Sequence, residues 1–408
     1  MFGQDRRGGT PLASTNQDDL VKHFHSATNA EKIGLSTIVD VFDRADLFEV
    51  LDNDAVLKLS QLGGNAGFRN SAAIHRSTGI TTRRLLRDGV GPLDLAVAVC
   101  RRLETVSGCR IDEFDAILLC HSNTDSQACV RLAAALSQEL GLSREAIAAF
   151  NHGCTGFIKL VPEAAMVLDG FRREARVALV SVETPEFWHD GADRLFCGIV
   201  SAGATAAVLE SGRGLPVGAS RSDDFQIPAD RRMNPNPLFR METADVFDFR
   251  GEPCRRTVMR MNAEPVFING IELMLDNLRT AMLSIDRQAG QRVIVAPHQP
   301  SGKLLRALIA AATMEFPDVE FLNNLESYGN TISSSVPTLL SRLDEVLTRN
   351  KLEPLRDNDH IILLAAGICM TNIADRMSAG HTCLQWQRNA LNNPHRQQTH
   401  EDANVSVG

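Results

Sequence analysis

Short apolar runs alternate along most of the chain with longer stretches in which apolar residues recur every three or four positions. The short runs are typical of buried strands, and the longer stretches are typical of amphipathic helices. Strands are predicted at 115–123, 146–150, 175–183, 203–211, 291–299 and 359–368, and helices at 126–142, 154–170, 264–285, 301–314 and 331–349. This alternation predicts an α/β protein. Pro162 predicts a kink or break in the second of these helices.

The predicted strands and helices fall into two similar blocks. The first block covers 31–212 and the second 259–380. The intervening residues 213–258 are mixed in polarity and contain five prolines, and we interpret them as a connector or cap. Residues 1–30 are polar and predict a flexible leader, while 381–408, rich in Gln, Asn, His and Arg, predict a surface tail. We therefore expect two similar α/β halves that meet face to face.

Composition excludes several classes of partner. The chain has 408 residues, of which 44% are hydrophobic and 23% charged, and its formal net charge is −8. This profile is that of a globular protein. We find no clustered basic domain of the kind that nucleic-acid binding requires, and no apolar run near the ~18–20 residues needed to span a membrane. The sequence predicts neither a nucleic-acid nor a membrane partner.

The cysteines indicate a reducing environment. There are nine, an odd number, and no two of them form a CxxC pair. Disulfide frameworks belong to small secreted chains, and metal sites need closely spaced ligands. We predict reduced thiols in a cytoplasmic protein that needs no metal.

One cysteine lies where a predicted strand gives way to a predicted helix. Cys154 stands between two glycines in "AFNHGCTGF" (149–157). Unpaired N–H groups and the dipole at a helix N-terminus favour the thiolate, which attacks acyl carbonyls. The alternative is a small buried hydrophobe, the usual role of a lone cysteine.

Two further residues offer matching chemistry. His298 follows a predicted strand, and Asn330 lies in "YGNT". A neutral imidazole and a carboxamide can both donate hydrogen bonds to a carbonyl or enolate oxygen. Taken alone, Asn330 reads equally as a turn residue before a helix. Because ligands of open α/β sheets lie at the carboxyl ends of strands, Cys154 and His298 would share one crevice.

Five segments, in order along the chain, resemble the ketoacyl-ACP synthase III group of the thiolase superfamily. The segments are "HRSTGITTRR" (75–84), "NHGCTGF" around Cys154, "PHQPSGKLL" around His298, "SYGNTISSSVP" around Asn330, and "AAGICM" (365–370). The resemblance runs from about residue 70 to 375. It implies a thiolase-like fold, with two similar α/β halves in a layered α-β-α-β-α sandwich. It also implies a homodimer, to which helix 126–142 is expected to contribute.

The resemblance also implies a mechanism. Cys154 would take an acyl group from a thioester of coenzyme A or an acyl carrier protein. The backbone N–H groups of Cys154 and Gly367 would form the oxyanion hole. His298 and Asn330 would polarise a malonyl-type thioester, which loses CO₂ and attacks the acyl-cysteine. No cofactor is implied.

Departures from the family pattern indicate a specialised member, which we assign to secondary metabolism. Ala73 and Ser77 stand where relatives that prefer coenzyme A commonly carry a Trp and an Arg, so a carrier-protein donor is favoured. Ser301 and Lys303 replace the usual Asn and Arg after the histidine and are predicted to bind substrate. Trp188 is predicted to line the acyl pocket.

Cations near these motifs are candidate contacts for an acidic carrier protein. They are Arg83, Arg84, Arg87 and Lys303, each of which could equally be a solvated surface charge. Arg83 is also predicted to bind substrate. Two other functions remain open at this level. One is an acyltransferase of the same fold that passes its acyl group to an O, N or S acceptor. The other is a non-catalytic partner subunit of a ketosynthase heterodimer, although such subunits usually lack the nucleophile.

Overall fold

The computed structural model describes residues 33–64, 67–171, 174–232, 236–370 and 375–395. The predicted leader lies outside these residues, as do residues 396–408 of the predicted tail. The strands are β1 (Ile33–Asp40), β2 (Phe48–Asp52), β3 (Thr82–Leu86), β4 (Ala116–Cys120), β5 (Ile147–Phe150), β6 (Arg176–Glu183), β7 (Gly203–Ser211), β8 (Leu215–Gln226), β9 (Phe239–Phe247), β10 (Pro253–Met261), β11 (Val293–Pro297), β12 (Val319–Phe321), β13 (His360–Ile368) and β14 (Arg376–Gln385). The helices are α1 (Asn53–Ser60), α2 (Ser71–Thr78), α3 (Pro92–Ser107), α4 (Ala128–Glu139), α5 (Gly156–Asp169), α6 (Ala263–Ser284), α7 (Gly302–Glu315), α8 (Leu325–Tyr328), α9 (Ser335–Ser341) and α10 (Leu343–Arg349).

Ten strands form the main sheet, in the order β12-β11-β13-β14-β8-β1-β7-β6-β4-β5. Each end of the sheet has a parallel trio: β4 pairs with β5 and β6, and β11 pairs with β12 and β13. Every residue of β13 is buried, which is why this strand reads as one continuous apolar run. The α/β class predicted from the sequence is confirmed.

A layer of buried helix lies between the two halves of the sheet. All seven residues of α9 are buried, and α5 buries Phe157, Ile158 and Leu160. The same apolar cluster includes Leu118 and Leu179 from the first half and Leu363 from the second. The two halves therefore share one core. The break predicted at Pro162 is not seen, because α5 continues past it to Asp169.

The segment interpreted as a connector or cap contains three strands. β8 pairs with β14 on one side and with β1 on the other, so it joins the two halves of the sheet. β9 and β10 form a separate antiparallel hairpin. The prolines misled the prediction because Pro216 and Pro253 lie at the starts of strands, where proline is tolerated. Residues 381–385, assigned to the tail, belong to β14.

The helix predicted at 331–349 is divided. A 3₁₀ turn at Ile332–Ser334 precedes α9, and the helical conformation is interrupted at Arg342 before α10. The Arg342 guanidinium donates to both carboxylate oxygens of Asp40, at 2.8 and 2.6 Å. Asp40 is fully buried at the end of β1, so this ion pair fastens the helices to the sheet.

All nine cysteines are free thiols. Within the described ranges, no group of three or more His, Cys, Asp or Glu side chains is arranged to hold a metal ion. Nor does any helix of the described residues have the length and apolarity to cross a membrane.

Candidate active site

Cys154 lies at a tight turn between β5 and α5. The turn requires Gly153, whose φ of +61° is disfavoured for other residues. A Cβ at Gly153 would also lie 2.9 Å from Met370 Cγ and 3.1 Å from the Ile368 carbonyl oxygen. The glycine thus provides both the backbone conformation and the space that place Cys154 against β13.

Cys154 opens onto a cavity of about 170 Å³. Its wall contains five of the eight site residues expected from the sequence, namely Cys154, Trp188, Ser301, Asn330 and Gly367. These residues come from both halves of the chain. The structure therefore brings the nucleophile candidate, the carboxamide and the glycine backbone together at one surface.

Gly367 packs directly against Cys154. A Cβ at position 367 would lie 2.6 Å from Cys154 Cβ and 3.0 Å from its sulfur. Contacts this short are not tolerated between carbon atoms, for which the optimum is about 3.5–4.0 Å. Only glycine permits this approach of the β13 backbone to the sulfur.

Asn330 is held by both ends of its amide. Its Oδ1 accepts from the Ile332 N–H at 2.9 Å, and its Nδ2 donates to the Pro300 carbonyl at 3.4 Å. An amide nitrogen carries two hydrogens, so one N–H remains for a ligand in the cavity. The alternative interpretation of Asn330 as a turn residue also holds, because its side chain accepts a hydrogen bond from the backbone two residues later.

His298 is not itself among the cavity-lining residues. It is 1% exposed, and its Nδ1 lies 2.6 Å from Ser335 Oγ. The Ser335 hydroxyl also lies 2.8 Å from the carbonyl oxygen of Ile332, a cavity residue. Burial lowers the pKa of His298 to about 3, outweighing the opposing effect of the Ile332 backbone. The imidazole is therefore neutral, as expected.

The hydroxyl of Ser335 has one proton and two possible acceptors. If it donates to Ile332, then Nδ1 of His298 carries the proton and Nε2 is an acceptor. If it donates to Nδ1, then Nε2 carries the proton and becomes a donor. The direction of a single hydroxyl thus sets the chemistry of His298.

The pKa of Cys154 differs from the sequence expectation. Burial, followed by the proximity of Glu183, raises the pKa of the thiol to about 12. This direction is opposite to the one that the helix terminus alone predicts for the thiol. Glu183 is itself fully buried, accepts from Ser122 and Ser333, and has a pKa raised to about 8 by burial.

Arg83 does not lie in the cavity wall. It is fully buried, and its guanidinium donates to the Gly198 carbonyl, Asn53 and Thr78. Burial lowers its pKa to about 10. The prediction that Arg83 binds substrate or a carrier protein is wrong, because these contacts leave no surface for either. Its role is to brace β3 against the segment that carries Gly198.

The other predicted cations differ in their availability. Arg84 lies over the rings of Phe42 and Tyr328, at 5.2 and 4.9 Å from their centroids. Arg87 donates to the carbonyls of Ala45 and Phe48. Lys303 is exposed, and its ammonium lies 5.4 Å from the ring centroid of Phe267, a cavity residue. Of this set, Lys303 is best placed to contact a ligand that enters the cavity.

Ser301 has a structural role in addition to its place in the cavity. It is the N-cap of α7, and its hydroxyl accepts from the Leu304 N–H at 3.4 Å. The sequence did not indicate Ile332, which lines the cavity with a φ of +52°. A β-branched residue rarely adopts this left-handed conformation, and such strain concentrates at functional sites. Only its position two residues after Asn330 could have drawn attention to it.

The sequence of this chain is similar to those of known β-ketoacyl synthases III. Residues 289–374 match the family described as 3-oxoacyl-[acyl-carrier-protein (ACP)] synthase III C terminal. The chain is 25% identical over 270 residues to a β-ketoacyl-[acyl-carrier-protein] synthase III of Brucella canis, covering 66% of this chain and 80% of that protein. Over 265 residues it is 24% identical to the Helicobacter pylori protein of the same name, covering 65% of this chain and 78% of that one.

Solved structures share the fold. The 3-oxoacyl-(acyl carrier protein) synthase III of Pseudomonas aeruginosa aligns with a TM-score of 0.66 and 22% identity, over 88% of this chain and 99% of that one. The priming β-ketosynthase of the R1128 polyketide pathway aligns with a TM-score of 0.67 and 19% identity, over 89% and 99%. The expected resemblance and the thiolase-like α/β fold are confirmed.

Proposed function

We propose that this chain, which resembles β-ketoacyl-ACP synthase III in sequence and fold, is an acyl-transferring condensing enzyme. It loads an acyl group onto Cys154 and extends that group with a malonyl-type thioester. The observation that carries the proposal is the shared cavity of Cys154, Asn330 and Gly367, with His298 connected to it through Ser335.

Loading is an exchange of thioesters at Cys154. The sulfur attacks the donor's carbonyl carbon, a new C–S bond forms, and the donor thiol leaves with the proton released by Cys154. Negative charge develops on the carbonyl oxygen, where the backbone N–H groups of Cys154 and Gly367 stabilise it. Because the pKa of Cys154 is raised, we propose that deprotonation accompanies attack rather than preceding it.

Condensation uses the second pair of donors. The malonyl-type thioester places its carbonyl oxygen between Asn330 Nδ2 and His298 Nε2. Loss of CO₂ leaves an enolate, whose carbon attacks the acyl-cysteine and releases the Cys154 sulfur. Both donors are uncharged at neutral pH, and they stabilise the enolate oxygen. This role requires the Ser335 hydroxyl to donate to Nδ1.

The donor is proposed to be an acyl carrier protein or coenzyme A, with Lys303 near the entrance. We also propose a homodimer, because β5 is the last strand of the sheet and leaves one edge without a partner strand within the described part of the chain. Nine free thiols fit a cytoplasmic location. The similarity to a polyketide priming ketosynthase agrees with a role in secondary metabolism.

The test separates the two steps. The full-length protein is incubated with acyl-coenzyme A or acyl-carrier protein, and intact-mass spectrometry detects an adduct that Cys154→Ala abolishes. Malonyl thioester is then added, and release of CO₂ with formation of a 3-oxoacyl product supports condensation. An adduct that never reacts with malonyl thioester would point to an O, N or S acceptor. Absence of any adduct would refute the enzymatic role and favour a partner subunit.

A further inference from the structure

We infer that the Cys154 cavity selects an uncharged, apolar acyl group of about six carbons, and that the hairpin of β9 and β10 sets this length. The inference rests on the proposed function, since it concerns the acyl group loaded onto Cys154. Three observations carry it: how the hairpin is attached, which side chains it places in the wall, and the size of the cavity.

The hairpin is fixed to the segment that carries Trp188. The Met259 N–H donates to the Trp188 carbonyl at 3.4 Å. The Arg260 guanidinium pairs with Asp190 at 2.9 Å, Asp193 at 3.1 Å and Glu242 at 2.8 Å. These three acids include two from the Trp188 segment and one from β9. The ion-pair cluster therefore holds the hairpin and the Trp188 segment as one unit over the cavity.

The wall built by this unit is apolar. β10 contributes Met259 and Met261, and α6 contributes Met274 to the same lining. Methionine is flexible and polarizable, so such a wall adapts to alkyl chains of different shape. Among the described residues, no Asp, Glu, Lys or Arg lines the cavity. Burial lowers the pKa of the lining His189 to about 3, so this ring is neutral. A carboxylate on the acyl group would have no ionic partner there.

The cavity is partly open, and its volume sets the length of acyl chain that it can enclose. A dry, apolar protein cavity of about 150 Å³ accommodates benzene, which has six carbons. The cavity beside Cys154 is about 170 Å³. An acetyl group would leave most of this space empty, whereas a hexanoyl group would fill it. Burial of one methylene is worth about 0.8 kcal/mol, or roughly fourfold in rate constant if the wall contacts each added methylene.

The experiment measures the loading of Cys154 with thioesters of N-acetylcysteamine, which need neither coenzyme A nor a carrier protein. Acetyl, butyryl, hexanoyl, octanoyl and dodecanoyl groups are compared by single-turnover intact-mass spectrometry. We expect kcat/KM to rise about 250-fold from acetyl to hexanoyl, at fourfold for each of four methylenes, and to fall by dodecanoyl. Succinyl should load no faster than acetyl.

Variants of the hairpin test the role of its methionines. Met259→Phe and Met261→Phe narrow the cavity and should move the optimum to butyryl or shorter, while Met259→Ala should move it to octanoyl or longer. Met314→Phe is the matched control, because Met314 lies on α7 and is 87% exposed. A thermal unfolding curve for each variant shows whether it is folded, and the half-buried Met261 provides a second site if Met259→Phe does not fold.

Each outcome has one reading. Loading at equal rates for all chain lengths would overturn the inference while leaving the proposed function intact. An unchanged optimum in both phenylalanine variants would overturn the role of the hairpin. The Trp188 indole Nε1 is buried without a hydrogen-bond partner. Faster loading of 5-oxohexanoyl than of hexanoyl would therefore overturn the apolar assignment. Failure of every thioester, including carrier-bound ones, would instead refute the proposed function.

Discussion

The substitution Gly367→Ala tests whether the β13 backbone must touch the nucleophile. The added Cβ would lie 2.6 Å from Cys154 Cβ and 3.0 Å from its sulfur. Because unstrained carbon contacts are about 3.5–4.0 Å, either β13 or the turn at Cys154 has to move by about 1 Å. Both are packed in the interior, so the movement cannot be absorbed at the surface.

The expected effects follow from that displacement. Overpacking of a well-filled interior costs about 1–3 kcal/mol of stability, so the variant should still fold. A misplacement of about 1 Å at a reacting group costs on the order of 100-fold in rate. If Gly367 also supplies an oxyanion donor, the same displacement moves its N–H, which alanine retains, out of position; complete removal of one such donor costs about 10²–10³ in kcat. We therefore expect acyl loading to fall at least 100-fold.

The assay compares the loading rate of Cys154, measured by intact mass, with the unfolding temperature of the same sample. Gly218→Ala is the matched control, because Gly218 is exposed on β8 and a Cβ there would meet only ordinary contacts of 3.5 and 3.7 Å. If Gly367→Ala is loaded at a rate within about threefold of that of Gly218→Ala, the reasoning is refuted. The activation free energies of the two variants would then differ by less than the 1.36 kcal/mol that corresponds to a tenfold change in rate, although only one variant contains the clash.

Three further expectations follow from neighbouring contacts. Ser335→Ala should leave loading intact but reduce condensation, because His298 loses the hydroxyl that fixes which of its nitrogens is protonated. Ser335→Thr keeps the hydroxyl and should restore condensation. Equal condensation rates in the two variants would contradict this. Glu183→Gln should speed alkylation of Cys154 by iodoacetamide above pH 8, where the wild-type carboxyl ionises and opposes the thiolate, and change nothing below pH 7. Arg342→Met should lower the free energy of unfolding at pH 7, measured with urea, by about 3–5 kcal/mol, because it strands a buried carboxylate. Burial alone would raise the pKa of Asp40, but its hydrogen bonds and charge pairing with Arg342 lower it. The stabilisation by this pair is therefore present above the unfolded pKa of about 3.9 and is lost as pH falls through the folded pKa. A loss of unfolding free energy in Arg342→Met that does not depend on pH would argue against the pairing.

Sequence reasoning found buried strands that are continuous apolar runs, such as β13 and β6. It missed β1 and β14, which are equally buried but carry several polar residues. It also missed β8, whose residues are mostly half-buried and which contains Pro216. The local setting singled out Cys154, whereas Asn330 alone reads as a turn residue; the three residues were grouped by the resemblance of the segments around them.

Properties that depend on the neighbours of a residue in the folded protein could not be predicted from the sequence. Arg83 reads as a surface charge, and only the fold brings the Gly198 carbonyl and Asn53 to its guanidinium. The pKa of Cys154 was predicted from the local helix terminus, whereas burial by distant segments decides it. The lining by Met259 and Met261 likewise requires the hairpin to fold back over the cavity, which no local pattern indicates.

The attachment of the β9–β10 hairpin makes it an exchangeable cassette. Phe239 and Met261, its first and last residues, are paired across the two strands, so both ends of the insertion meet at one place. The hairpin pairs with no strand of the main sheet, and a transplant at this junction leaves that sheet uncut. If the hairpin sets the acyl length as inferred, a hairpin taken from a relative, with an arginine kept at position 260 to pair with Asp190 and Asp193, would change the acyl group accepted and leave the rest of the chain unchanged.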